Sequence, residues 1–155
     1  MKKIVLFLVM MAFSFTSSAQ ELTWHTDMAK ASELSIKEKK PLLLFCSGSD
    51  WCGWWIRLQK EVLKTPEFEK WAKENVILVE LDFPRRTPQE ESIKAQNQQI
   101  QSMFQVRGYP TVWFVNPEKT TEGKMNLKGL GSTGYVAGGP EKWLAGASTI
   151  VANKG

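Results

Sequence analysis

Residues 42–55 read LLLFCSGSDWCGWW, and this stretch decides the fold. Its first five residues form a continuous apolar run that is too short for a helix, which predicts a central strand buried on both faces. The small and polar residues at 47–50 predict a turn. From Cys52 onward, Trp55, Leu58 and Val62 recur at intervals of three and four, which predicts an amphipathic helix. Cys52 therefore stands where a buried strand passes into a helix.

The flanking sequence predicts strands that alternate with helices. Thr26 and Asp27 offer helix-capping side chains, and Thr65 does the same before a proline. We predict strands at 22–24, 42–46, 76–81, 111–115 and within 125–130, and helices at 28–39, from 52, from 65, from 87 and from 140. A turn at Asn116-Pro117 is expected to end the fourth strand. The order is a βαβ half followed by a ββα half, so we expect an α/β fold with a central mixed sheet flanked by helices.

The first 19 residues have the pattern of a secretory signal peptide. Lys2 and Lys3 precede an apolar run over 4–15, and small residues at Ser17 and Ala19 suit a signal peptidase. The run is short of the ~20 residues that a membrane-spanning helix needs. We therefore predict a signal peptide at 1–19, one domain at 20–155, and an exported protein, periplasmic or secreted, without stable membrane insertion.

Composition excludes several classes of function. The formal charge of +4 is too mild to indicate a nucleic-acid partner, and the cations at Arg85-Arg86 and 37–40 are interpreted as solvated surface. Two cysteines are too few for a disulfide-rich scaffold. His25 is the only histidine, and no close-set ligand pair or phosphate-loop pattern is present. The sequence therefore predicts neither a metal site nor a cofactor.

Two motifs resemble the thioredoxin family: the run Ser49-Asp50-Trp51-Cys52-Gly53-Trp54-Trp55 and the run Gly108-Tyr109-Pro110-Thr111. The longer stretches look like the exported thioredoxin-like proteins, of the thiol-disulfide isomerase or oxidoreductase kind, of Bacteroidetes-type bacteria. The resemblance implies a thioredoxin fold, with a cis peptide bond before Pro110 facing Cys52. It also implies a substrate-binding groove formed by Trp51, Gly53, Trp54, Tyr109 and Pro110. The remaining tryptophans, at 24, 71, 113 and 143, are expected in the core.

Cys52 is the candidate nucleophile. A sulfur at a helix N-terminus lies among unpaired amide donors at the positive end of the helix dipole, which favours the thiolate over the thiol. The family's second motif cysteine is replaced here by Trp55, so the two-thiol release of substrate is not available. A lone thiolate can still attack a disulfide if an external thiol or redox partner resolves the product. Trp55 is expected either to pack against the core or to shield the thiol.

Cys46 is not expected to replace the missing thiol. A disulfide requires Cα atoms within ~7 Å of each other, and the extended strand at Cys46 carries the chain away from it. Only a sharp return of the chain would bring Cys52 within that distance. We expect Cys46 to be a small buried apolar residue.

Two hypotheses follow. The first is an exported thiol-disulfide exchange protein that acts on cysteine-containing or unfolded polypeptides through Cys52 alone. The second is a non-catalytic binding module that keeps the groove and has lost the resolving cysteine. Substrate peptide would pair beside Pro110 by β-addition in either case.

Overall fold

The computed structural model describes residues 21–153, so the predicted signal peptide lies outside the described residues. The elements are β1 (Trp24–His25), α1 (Met28–Glu38), β2 (Leu42–Ser47), α2 (Gly53–Leu58) continued by a π-helix (Gln59–Leu63), α3 (Pro66–Asn75), β3 (Ile77–Asp82), α4 (Glu91–Met103), β4 (Thr111–Lys119), β5 (Met125–Thr133) and α5 (Gly139–Ala152). Within residues 21–153 no helix has the length and hydrophobicity needed to cross a bilayer.

The strands form one mixed sheet in the order β1-β3-β2-β4-β5. β1, β3 and β2 run parallel, whereas β4 is antiparallel to both β2 and β5. β2 lies at the centre, and all six of its residues are buried. This is the predicted βαβ half joined to a ββα half, and the predicted α/β fold with a mixed sheet flanked by helices is confirmed.

Helix boundaries follow the capping residues. Asp27 accepts hydrogen bonds from the backbone N–H groups of Ala29 and Lys30, which fixes the start of α1. The Thr65 hydroxyl accepts from the N–H of Phe68, and proline follows it at the first helical position of α3. These ends were predictable because each one is determined by a side chain within three residues of it.

Several element boundaries differ from the sequence prediction. β1 lies at Trp24–His25 rather than at 22–24, and α4 begins at Glu91 rather than at 87, where no side chain caps the helix. The amphipathic helix after Cys52 changes from α to π at Gln59, and the wider turn allows Leu58 and Leu63 to be buried together. β4 does not end at Asn116-Pro117 but continues to Lys119, and β5 reaches Thr133 rather than residue 130. Proline is tolerated in β4 because β2 pairs with β4 only as far as Val115, which leaves one edge of the strand open beyond that residue.

The two faces of the sheet bury separate apolar clusters. One cluster joins Leu43 and Phe45 of β2 to α3, α5 and the helix after Cys52. The other joins Leu42, Leu44 and Cys46 to α1 and α4. Of the tryptophans predicted in the core, Trp143 is fully buried, and the other three pack against the clusters while partly exposed. Alternate residues of the central strand therefore belong to opposite faces.

Candidate functional site

Cys52 is the N-cap residue of α2. Its backbone N–H donates to the carbonyl of Gly48 at 2.8 Å, so the turn over 48–52 delivers the cysteine to the start of the helix. Its side chain makes no capping hydrogen bond, which leaves the sulfur beside the amide groups of the first helical turn. Only 7% of Cys52 is exposed. The sulfur is thus reached only by a group that fits closely against this end of the sheet.

The loop before β4 faces Cys52. The Tyr109-Pro110 peptide bond is cis, as the sequence predicted. The Cys52 Sγ lies 3.5 Å from the Tyr109 carbonyl oxygen, a contact in which the thiol donates. Thr111 then enters β4 opposite Cys46 on β2. Cys52, Tyr109 and Pro110 are therefore brought together at one end of the sheet.

An aromatic group surrounds this loop. The rings of Trp51 and Tyr109 meet edge to face at 5.4 Å, and Phe83 lies 5.3 Å from Tyr109. Trp51 donates through Nε1 to the Phe83 carbonyl at 2.8 Å. A side chain at Gly48 would place its Cβ 2.4 Å from the Trp51 indole, so glycine is required there. Burial raises the pKa of Tyr109. Phe83 was not predicted, because its place beside the loop depends on the end of another strand.

Gly53 and Trp54 lie on the open side of the site. Nothing lies within 4 Å of the position that a Cβ at Gly53 would take, and Trp54 is 52% exposed. Trp54 packs against Tyr135 at 5.3 Å, and the Arg57 guanidinium lies 5.2 Å from the Trp54 ring centroid. Trp54 therefore flanks Cys52 from the α2 side, whereas Trp51 belongs to the aromatic group around Tyr109.

Trp55 packs inward from the position of the missing motif cysteine. It is partly buried and lies against the apolar cluster that contains Phe45 and Phe68. Its indole Nε1 is buried and has no hydrogen-bond partner among the described residues. Of the two expectations for Trp55, packing against the core is the one that these contacts favour.

Cys46 and His25 lie outside the reactive arrangement. Both cysteines are free thiols, and Cys46 is 1% exposed within the cluster on the α1 side of the sheet. Burial raises the pKa of Cys46 to about 12, so it remains a thiol at physiological pH. His25 lines a cavity of about 270 Å³ together with Lys40 and Lys73, near the start of β2 and away from Cys52. Among residues 21–153 no cluster of three or more metal-ligating side chains occurs.

Asp50 is a residue of the site that sequence reasoning missed. Its carboxylate accepts backbone hydrogen bonds from Arg85 at 3.0 Å, Arg86 at 2.8 Å and Thr87 at 2.9 Å. These bonds lower the pKa of Asp50 to about 2. These hydrogen bonds hold the loop after β3 against the turn that carries Cys52. The partners lie more than thirty residues away in sequence, so no local pattern could have revealed them.

Two further acidic residues, Asp82 and Glu80, lie behind the turn. Asp82 accepts from the Ser49 backbone N–H at 2.9 Å and from the Ser47 hydroxyl at 3.3 Å. Glu80 is 3.4 Å from the same Ser47 hydroxyl, and burial together with the nearby Asp82 charge raises its pKa. Both carboxylates come from the end of β3, on the face opposite Cys46, and Asp82 holds the backbone of the turn through Ser49.

A cysteine that caps a helix beside a cis-proline loop, on a βαβ-ββα sheet, defines a thioredoxin-like protein. The family model described as thioredoxin-like domain matches residues 28–131, and the chain belongs to that family.

Individual relatives agree with this assignment. The chain is 34% identical over 120 residues to the disulfide bond reductase DsbH of Chlamydia pneumoniae, which covers 77% of this chain and 72% of that protein. It is also 34% identical over 101 residues to the thioredoxin-related protein DsbJ of the same organism, which covers 65% of this chain and only 29% of DsbJ. A solved structure described as DsbH oxidoreductase superposes with a TM-score of 0.73 at 32% identity, covering 85% of each chain. A thioredoxin from Thermus thermophilus, at 16% identity and a TM-score of 0.63 over 86% of this chain and 90% of that one, supports the fold alone.

Proposed function

We propose that this chain is an exported thiol-disulfide exchange protein that works through Cys52 as a single reactive thiol. The observation that carries the proposal is the position of Cys52, at the N-cap of α2 and 3.5 Å from the Tyr109 carbonyl. The relation to a disulfide bond reductase supports the same chemistry. The polypeptide substrate would lie along the backbone of the Tyr109-Pro110 loop.

The exchange needs two displacements. The Cys52 thiolate attacks one sulfur of a substrate disulfide, which forms a mixed disulfide and releases the other substrate sulfur as a thiolate. An external thiolate then attacks the mixed disulfide, which frees Cys52 and leaves the external sulfur bonded to the substrate sulfur. The net result is one free substrate thiolate and one disulfide between the external thiol and the other substrate sulfur, so the external thiol is oxidised, the released substrate sulfur is reduced, and Cys52 returns as a thiolate.

The need for an external thiol follows from the two alternatives inside the chain. Trp55 has no sulfur, and Cys46 is buried on the other side of β2 with its pKa raised to about 12. Neither residue can displace a substrate from Cys52. The substrate should also be an extended segment, because Cys52 is only 7% exposed and the flat surface of a folded domain would not reach its sulfur.

The test is capture of a mixed disulfide. The protein spanning 20–155 is mixed with a short peptide that contains one disulfide, quenched with acid, and weighed by mass spectrometry. We expect one peptide adduct on wild type and on Cys46→Ala, none on Cys52→Ser, and release of the adduct when an external thiol is added. An adduct that persists on Cys52→Ser, or no adduct on wild type under oxidising and mildly reducing conditions, contradicts the proposal.

The rival binding module remains a second candidate because of Trp55. Trp55 packs against the core, which stabilises the scaffold, but its side chain has no sulfur and takes no part in thiol-disulfide exchange. Under this function, the peptide binds wild type and Cys52→Ser with equal affinity, and no adduct forms on either protein.

Export is tested separately, by the N-terminal mass of the protein recovered from the cell envelope or medium. A mature chain that begins at Gln20 is the expected result.

A further inference from the structure

A cavity rich in positive charge lies beside the aromatic group of the candidate site. It has a volume of about 430 Å³, within the range of small-ligand pockets. The loop after β3 and the first turns of α4 form its walls. The charged and amide side chains that line it are Arg85, Arg86, Gln89, Glu91, Lys94 and Gln98.

Arg85 connects this cavity to the reactive cysteine. Arg85 is exposed, as the sequence predicted, and its guanidinium carbon also lies 3.8 Å from the centroid of the Trp51 ring. This is a cation-π contact with the residue that directly precedes Cys52. Phe83, which begins the cavity wall, contacts Tyr109, whose carbonyl touches the Cys52 sulfur. The cavity and the thiol therefore flank one aromatic group.

The acids around the cavity neutralise its positive charges only in part. Asp50 accepts hydrogen bonds from three backbone N–H groups of the loop and stays ionised, so its charge offsets one of the three cations. Glu91 is 3.8 Å from Lys94, and both side chains are more than half exposed, so this pair is weak. Within the described part of the chain, neither arginine forms an ion pair with a carboxylate. Three cations thus face one acidic side chain of the cavity wall.

We propose that the Arg85, Arg86 and Lys94 cavity is a substrate subsite that binds a carboxylate of the peptide whose disulfide Cys52 attacks. The proposal rests on the proposed exchange function and adds its substrate class, namely disulfides flanked by acidic residues. The guanidinium groups offer forked donors that match a carboxylate in shape.

The subsite changes the rate of the first displacement without changing its chemistry. An acidic flank is attracted into the cavity, so the substrate disulfide spends more time against the Cys52 sulfur. A neutral flank gains nothing from the arginines, and a basic flank is repelled. Screening by salt should reduce the difference, because all three cations are accessible to solvent.

The test compares three peptides of one sequence with two Glu, two Gln or two Lys near a single cysteine. The peptide cysteine carries an uncharged thiopyridyl group, and release of pyridinethione reports attack by Cys52. We expect wild type to react about 10-fold faster with the acidic than with the neutral peptide at low salt, with the ratio falling toward 1 at high salt. The variant R85Q/R86Q/K94Q should lose most of this ratio, which is taken for each protein against its own rate with the neutral peptide.

Matched controls separate the subsite from net charge and from misfolding. The variant K128Q/K142Q removes two exposed lysines elsewhere and should keep the acidic preference. Alkylation of Cys52 by uncharged iodoacetamide should be equal in all variants, which reports an intact site. Equal rates for the three peptides, or a preference that survives R85Q/R86Q/K94Q, overturns the subsite proposal alone. Absence of release from every peptide overturns the proposed exchange and the subsite with it.

Discussion

The two cysteines should differ sharply in reactivity while the protein is folded. Burial raises the pKa of Cys46 to about 12. At pH 8 only about one molecule in 10⁴ then carries the Cys46 thiolate, compared with about a quarter of unfolded chains, whose cysteines titrate near 8.5. Since the thiolate is the reactive form, folding should slow alkylation of Cys46 by about 10³-fold before its 1% exposure slows it further.

The assay is intact-mass analysis after iodoacetamide treatment at pH 8. Native wild type should take one adduct, and protein in concentrated guanidinium should take two. Native Cys52→Ser should take none during the time that labels wild type once, whereas native Cys46→Ala should take one. If native Cys52→Ser is labelled as fast as the unfolded chain, Cys46 is accessible and the assignment of Cys52 as the sole reactive thiol fails.

Three further substitutions test the structure around the site by thermal or urea denaturation. Asp50→Asn should lower the melting temperature at pH 7. This loss should shrink as pH falls from ~4 through about 2, because the hydrogen bonds that lower the pKa of Asp50 stabilise the fold only while its carboxylate is ionised. A loss that is constant with pH refutes this account. Glu80→Gln should gain stability relative to wild type as pH rises above ~4.5, because a raised pKa means that ionising Glu80 destabilises the folded state; parallel pH profiles contradict it. Trp143→Phe should cost about 2 kcal/mol, since it removes the hydrogen bond from Nε1 to the Gly134 carbonyl and part of a fully buried ring; a change below about 0.5 kcal/mol is the contrary result.

The predictable part of the fold is the part that local sequence determines. The apolar run before Cys46 predicted the central strand, and Asp27 and Thr65 predicted the helix starts, because a cap or a hydrophobic period acts within a few residues. The length of β4 was not predictable in this way. Its passage through Pro117 depends on where the neighbouring strand β2 stops pairing, which is a property of the assembled sheet.

The same division applies to the site. The positions of Cys52 and of the cis bond before Pro110 were expected from two short motifs. In the structure the Cys52 sulfur lies 3.5 Å from the carbonyl oxygen of Tyr109, the residue before Pro110. The contact of Arg85 with Trp51 and the bonds that Asp50 makes to the loop after β3 join segments separated by more than thirty residues. The exposure of Arg85 was predicted from its charge, but its contact with the Trp51 ring was not, because sequence cannot show that an indole ring lies against the guanidinium.

The tryptophan at position 55 has a structural consequence as well as a chemical one. Cys46 belongs to the cluster on the α1 side of the sheet, whereas Trp55 packs into the cluster on the α3 side. Both existing cysteines are free thiols, and Cys46 is held in the core on the face of the sheet opposite Trp55. A sulfur at residue 55 would restore an internal resolving group at the position that the family uses, but it would remove an aromatic ring that contacts the core. Under the proposed function, release of substrate depends on a thiol from outside the chain for as long as Trp55 occupies that position.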